Sequence, residues 1–187
     1  GSGVLSSAMV IDKVLTKKLL QCEGIPTPEY IALEGPDYGA LADIEDRIQS
    51  TMGYPVVIKP NREGSTIGIT ISRNQKGTEA GIAEAAKHDN VILIEKFITG
   101  RELTVSILGR QAIALPIIEI RPKSGFYDYQ SKYTVNMTEY LVPAQMDDDL
   151  AEGISRYAIQ SHKLLSCSSL SRVDFILDQH NVPYLLE

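Results

Sequence analysis

Cysteine is scarce in this 187-residue chain, which holds only Cys22 and Cys167, far apart and in no C-x-x-C. A disulfide framework is thereby excluded, and interior free thiols fit a reducing, cytoplasmic compartment. Long apolar runs are missing as well. No stretch approaches the ~18 consecutive apolar residues of a membrane span, so no membrane partner is expected. The opening GSGVLSSAMVIDK has no basic stretch ahead of an apolar core, so it does not read as a signal peptide. A basic excess is also lacking: 18 Lys+Arg face 24 Asp+Glu, a net charge of −6. That excludes nucleic acid as the main partner, because a surface that tracks phosphates needs positive charge. A small anionic ligand held by a few placed lysines is still compatible.

What is present is ordinary globular composition, 43% hydrophobic and 22% charged. Asp12 to Glu23 reads as a helix with Leu15, Leu19 and Cys22 on its apolar stripe, stopped by Gly24 and Pro26. Leu41, Ile44, Ile48 and Met52 mark a second amphipathic helix closed by Gly53. Tyr54 to Pro60 is a short β run, and Ile67, Ile69 and Ile71 alternate at strand period. A small helix follows from about Ile82 to Lys87, then a buried strand, VILIEKF, from Val91. Leu103, Val105 and Ile107 alternate, Gly109-Arg110 turns, and Ala112 to Ile120 returns, which predicts a hairpin. Asp147 to Leu165 reads as a helix opening on three aspartates, which favour its positive end. Two final strands, Arg172 to Leu177 and Val182 to Glu187, flank residues 178 to 181. The expected division is two α+β subdomains, 1–99 and 100–187.

Four segments carry candidate chemistry. The run Lys59-Pro60-Asn61-Arg62-Glu63-Gly64-Ser65-Thr66-Ile67-Gly68 delivers a lysine from a strand into a Gly/Ser loop. Such a loop can press backbone N–H groups against phosphate oxygens, although neither G-x-x-x-x-G-K-[ST] nor G-x-G-x-x-G is present. It equally fits a solvated lysine and a plain hairpin loop. Glu95, Lys96, Phe97 and Ile98 end a buried strand, and Glu102 follows seven residues after Glu95. This pattern suits an adenine amine and ribose hydroxyls, or simply solvated charges. In the terminal hairpin a four-residue loop would pair Leu177 with Val182, placing Glu187 opposite Arg172 on the face of Asp174. Two carboxylates there repel unless a divalent cation joins them, and oxygen-only ligands favour Mg²⁺ shared with phosphates. The alternative is an Arg172–Glu187 ion pair with Asp174 solvated. Finally, four of the nine tyrosines lie between Tyr127 and Tyr140 in an aperiodic stretch, as in a lid or an ordered surface loop. His88, His162 and His180 are isolated, lack metal-ligand spacing, and are expected at the surface.

Taken in order, GVLSSAMVIDKVLTKKLL, YPVVIKPNREGSTIG, LIEKFITGRELTV, LPIIEIRPKSGFYDYQSKYT, EYLVPA and SRVDFILDQHNVPYLLE resemble the D-alanine–D-alanine ligases of the ATP-grasp family. The resemblance covers essentially the entire chain. It implies an ATP-grasp fold, with two α+β subdomains and ATP held between their sheets. Lys13 and Lys59 match lysines that contact ATP phosphates; Glu95, Lys96, Phe97 and Ile98 match the adenine-holding strand end; Glu102 matches the ribose acid. Ser65 matches a loop serine that positions the first D-alanine. Lys132 and Tyr133 match the lid pair, the lysine meeting the γ-phosphate and the tyrosine closing the substrate site. Arg172 matches the arginine that stabilises the intermediate, and Asp174 and Glu187 match the carboxylates that hold Mg²⁺ (or Mn²⁺).

The implied reaction joins two D-alanines through an acyl phosphate, for peptidoglycan precursor synthesis, in a cytoplasmic enzyme whose full-length form is a homodimer. Tyr133 after the lid lysine goes with D-alanine as the second substrate. Two alternatives stand beside this reading: an ATP-binding fragment without ligase activity, and a related ligase using D-lactate or D-serine. The family carries an N-terminal α/β domain, and its motif continues past the final glutamate into an Asn-containing loop. The second subdomain is therefore expected to be incomplete at its end, and the segment alone inactive. Asn61, where serine is common, is expected in a solvent-facing loop position.

Overall fold

A computed structural model describes residues 1–35, 38–122 and 138–187. The chain divides into two compact units, one of Ile11–Val14 with Pro28–Ile98, the other of Gly1–Val10, Leu15–Thr27 and Thr99–Glu187. The expected split at 99/100 had put every earlier residue in the first subdomain. Most of the first 27 residues instead group with the second unit, because Leu20 and Ile25 are buried in one core with Leu103, Val173 and Phe175.

The smaller unit is a four-stranded antiparallel sheet in the order β1-β4-β2-β3, with β1 Tyr30–Glu34, β2 Val56–Pro60, β3 Thr70–Ser72 and β4 Val91–Lys96. Strand alternation sends Val56 and Ile58 to one face, where Ile92 and Ile94 join them. That face is covered by α3 (Leu41–Thr51), through Ile44 and Ile48, and by α4 (Gln75–Ala85), through Ile82 and Ala85. The other face carries Val57 and Lys59. Asn74 caps α4, its side chain accepting the Gly77 N–H at 2.9 Å. A Cβ on Gly81 would stand 2.7 Å from Ile58 Cδ1, so the glycine lets α4 lie close on β2.

The larger unit holds a six-stranded sheet, β10-β9-β5-β7-β8, with β6 paired to β5. Its strands are β5 Gly100–Leu108, β6 Ile113–Ala114, β7 Ile118–Pro122, β8 Thr138–Leu141, β9 Leu170–Asp178 and β10 Pro183–Leu185. Leu103, Val105, Ile107, Val173, Phe175 and Leu177 form its apolar face. Against it lies α5 (Asp148–Leu164), which buries Ile154, Ala158, Ser161 and His162 at helical spacing. Asp148 and Asp149 occupy its first turn and Lys163 its last, each matching the local end of the helix dipole. A Cβ on Gly100 would collide with the Leu177 carbonyl, so β5 and β9 can approach only with glycine there.

Several elements differ from expectation. A helix, α1 (Val4–Ile11), precedes α2 (Lys13–Cys22). In α2 the buried side is Val14, Lys17 and Leu20, whereas Leu15 and Cys22 are exposed. The apolar stripe misled because the buried face includes Lys17, whose ammonium is satisfied by Thr27 Oγ1 at 2.6 Å. Gly24, at φ +67, ends α2 as expected, with the Ile25 N–H returning to Leu20 O at 3.0 Å. The 67–71 alternation is strand only from Thr70, since Ile67 and Gly68 lie in a turn. Among the described residues no helix is long and apolar enough to cross a membrane.

Candidate functional site

In the smaller unit Lys59 faces Leu93 across β2–β4, and Glu95 faces Val57. Lys59 and Glu95 are therefore diagonal neighbours on the face turned away from the helices. Lys59 Nζ lies 2.5 Å from Glu95 Oε1, with side chains only 7% and 5% exposed. Truncating one partner of such a pair would strand a buried charge, at a cost of about 3–5 kcal/mol. Two residues expected to meet different parts of one ligand are thus joined to each other. The strand end beyond them is tied on both sides: the Lys96 N–H donates to Glu29 O at 2.9 Å and the Phe97 N–H to Pro55 O at 3.1 Å. Lys96 is exposed, while Phe97 and Ile98 are half-buried.

The Gly/Ser loop leaves β2 at Pro60. Ser65 (φ +52) and Thr66 (φ +63) are consecutive left-handed residues, a conformation that side chains with a Cβ adopt at a cost. Ser65 is exposed on this arch. At the loop's root the Arg62 N–H donates to Asp89 Oδ2 at 2.9 Å, and its guanidinium lies 3.5 Å from Asp12 Oδ2. Lys13, in the first turn of α2, donates from Nζ to Glu63 O at 2.5 Å and to Asn61 O at 3.4 Å. The structure therefore brings the Lys13 ammonium to the entrance of the loop that follows Lys59. Asn61 is buried, contrary to its expected solvent-facing position, because its side chain caps α2.

In the larger unit the terminal hairpin forms, but its register is shifted by one residue. Leu177 pairs with Pro183 and Phe175 with Leu185, so the loop is one residue longer than expected. That slip alone would move Glu187 to the face of Val173. A bulge restores it: the Leu186 N–H donates to Asp174 O and the Asp174 N–H to Glu187 O, each at 2.8 Å. Residues 186 and 187 together oppose Asp174. Across β9 from it, Thr104 donates its hydroxyl to Asp174 Oδ1 at 2.7 Å. Arg172 grips the same carboxylate with two bonds, Nε to Oδ1 at 2.9 Å and Nη2 to Oδ2 at 2.7 Å. An Arg172–Asp174 pair along one strand is thus formed, so Asp174 is not left to solvent. Glu102 shares this face, diagonal to Asp174 through the Thr104–Asp174 pairing.

Asp174 and Glu187 supply oxygen donors alone. This set suits a hard divalent cation, Mg²⁺ or Mn²⁺, bound by one or two carboxylates and sharing its other positions with phosphate and water. No described cluster of three or more His, Cys, Asp and Glu side chains offers a fuller protein cage. Lys132 and Tyr133, and the tyrosine-rich stretch around them, lie outside the described residues.

Two buried polar groups were not anticipated. Glu119, 3% exposed, accepts Arg101 Nη2 at 2.6 Å and Arg121 Nε at 2.9 Å. The Arg101 bond holds its carboxyl below the usual range, against the opposing effect of burial, and Arg121 adds to the lowering. A lone glutamate inside the apolar run from Ala112 to Ile120 was the available signal. His162, expected at the surface, is 4% exposed on α5, with Nδ1 2.7 Å from Ser171 Oγ. Burial pushes its imidazole pKa down. Helical spacing from Ile154 and Ala158 could have placed it inward.

Comparison with known proteins gives one answer. The chain is 43% identical to a D-alanine–D-alanine ligase of Carboxydothermus hydrogenoformans, over all of this chain and 61% of that protein. Its fold matches the D-Ala:D-Ser ligase VanG of Enterococcus faecalis, with a TM-score of 0.84 at 31% identity, covering 100% of this chain and 54% of that one. It also matches a Bacillus anthracis D-alanine–D-alanine ligase complexed with ATP, with a TM-score of 0.79 at 33% identity, over 100% of this chain and 57% of that one. The α+β architecture is accordingly that of ATP-grasp ligases. The chain spans about three fifths of the length of the curated relatives it matches. Residues 19–187 match the family described as D-ala D-ala ligase C-terminus, and the chain belongs to that family.

Proposed function

We propose that this chain is the ATP-handling and acyl-transfer portion of a cytoplasmic D-alanine–D-alanine ligase that supplies peptidoglycan precursors. The observation that carries the reading is the end of the terminal hairpin, where a bulge sets Glu187 opposite Asp174, itself gripped by Arg172. Lys13 and Lys59 neutralise phosphate charge, Glu95 to Ile98 receive the adenine, and Glu102 the ribose. Ser65 orients the first D-alanine, whose carboxylate attacks the γ-phosphorus as ADP leaves. The amine of the second D-alanine then attacks the acyl carbon, and phosphate departs. Arg172 stabilises the oxyanion of that step; loss of one such donor costs roughly 10²–10³ in kcat. Lys132 meets the γ-phosphate, while Tyr133 closes the site and excludes water from the acyl phosphate. When bound, Mg²⁺ supplies further charge neutralisation, and Asp174 and Glu187 are the side chains that would hold it. Alignment and charge neutralisation are the main means by which proteins promote phosphoryl transfer, so this residue set suits the chemistry.

The likeness to VanG keeps a second reading in play, D-serine as the acceptor. Phosphate release and product analysis, in a full-length version offered D-alanine, D-serine and D-lactate together, separate them. The expected product is D-alanyl-D-alanine. A mixed product dominated by D-serine would overturn the acceptor assignment, and absence of any ATP-dependent ligation would overturn the reading itself.

A further inference from the structure

The start of α2 sets where the Lys13 ammonium is held, and a buried side chain from a distant segment helps fix that start. The first N–H groups of a helix have no partner within it. In the first turn of α2 the Val14 N–H is taken by Asn61 Oδ1 at 2.8 Å, from a segment 47 residues away. Asn61 is 1% exposed. Its own N–H donates to Val91 O at 3.0 Å, which locks it to the start of β4. Its carbonyl accepts the Lys13 N–H and Lys13 Nζ, each at 3.4 Å. Two residues on, Glu63 O accepts the same Nζ at 2.5 Å. One residue thus holds the helix end, the lysine backbone and the lysine ammonium, and is itself anchored to the sheet that carries Lys59 and Glu95.

We infer that Asn61 is a positioning residue for nucleotide binding, acting through Lys13. This rests on the reading of Lys13 as a phosphate ligand. Carbonyl oxygens on one short segment aim the ammonium before ligand arrives, so less ordering is left for binding. Its side-chain amide sets the register of α2 against the loop, and a shift of about 1 Å in a group meeting phosphate is enough to matter.

The test is a double-mutant cycle on Mg·ATP affinity, measured by calorimetry with the 187-residue chain, together with amide hydrogen exchange at Val14. Asn61→Ala is expected to speed exchange at Val14 and to weaken Mg·ATP about tenfold, while adding little in a Lys13→Ala background. Additive losses would make Asn61 a structural residue only and overturn the inference. Unchanged ATP affinity in Asn61→Ala, with Lys13→Ala weakened, would also overturn it and leave the nucleotide reading standing. Normal affinity in Lys13→Ala, or no ATP binding by the unsubstituted chain, would instead remove the reading on which it rests, and the inference with it. If Asn61→Ala does not fold, Asn61→Ser gives the same comparison. Its Val14 protection and ATP affinity must then be kept together or lost together, and a loss of one without the other contradicts the proposal.

Discussion

At the scale of single residues the chain stores its chemistry in polar groups held by named partners, and each partner can be tested. Thr104 donates to Asp174 Oδ1 from the neighbouring strand. Partners of this kind orient metal-binding carboxylates, and losing one lowers metal affinity roughly 10–100-fold. Thr104→Val in a full-length version should raise the Mg²⁺ concentration needed for half-maximal turnover by that order, with thermal stability little changed. Asp174→Asn should go further and remove most Mg²⁺-dependent turnover, with the fold intact by circular dichroism. Glu119 offers a test by pH. Its folded pKa is depressed, chiefly by Arg101, so its stabilisation is complete above the unfolded value of about 4.3 and is lost as pH falls through the folded value. The gap in urea midpoint between the natural chain and Glu119→Gln should be largest near neutral pH and shrink below about pH 4. These buried partners were mostly invisible in sequence, because hydropathy reports how much a side chain dislikes burial and not whether a partner awaits it. Asn61, Glu119, His162 and Lys17 all defeated it for that reason.

At the scale of elements, packing decides what propensity leaves open. A Cβ on Gly81 meets Ile58 Cδ1 at 2.7 Å and Thr70 Cβ at 3.1 Å. Gly81→Val should therefore lower stability by about 1–3 kcal/mol through overpacking, read as a drop in thermal midpoint. The glycines at 77 and 81 also hide the length of α4 in the sequence, where the expected helix begins only near Ile82, since glycine is among the poorest helix formers. Runs of branched residues were legible in β2 and β4, as was the alternation in β5 and β9, whereas the alternation from Ile67 to Ile71 is strand only from Thr70. Exact register was not, because it depends on loop length. The hairpin after Leu177 slipped by one residue, and Glu187 reached Asp174 only through a bulge that no side-chain pattern encodes. The faces of Lys59 and Glu95, by contrast, follow from strand period alone.

At the scale of the molecule, two antiparallel sheets each bury one face under helices and place charged residues on the other. Lys59 and Glu95 mark that other face in one unit, and Arg172, Asp174 and Glu102 in the other. Motif order made this assembly recognisable where composition could not, since 43% hydrophobic content is common to many folds. The net charge of −6 gives no general affinity for polyanions, so the proposed phosphate recognition would rest on individual lysines such as Lys13 and Lys59. Spanning about three fifths of its curated relatives, the chain alone is expected to bind nucleotide while releasing negligible phosphate with D-alanine. The most direct test is calorimetric titration of the 187-residue chain with ATP, with and without Mg²⁺. Saturable one-to-one binding that tightens when Mg²⁺ is added is the predicted result. No saturable binding, or binding indifferent to Mg²⁺, would contradict the account.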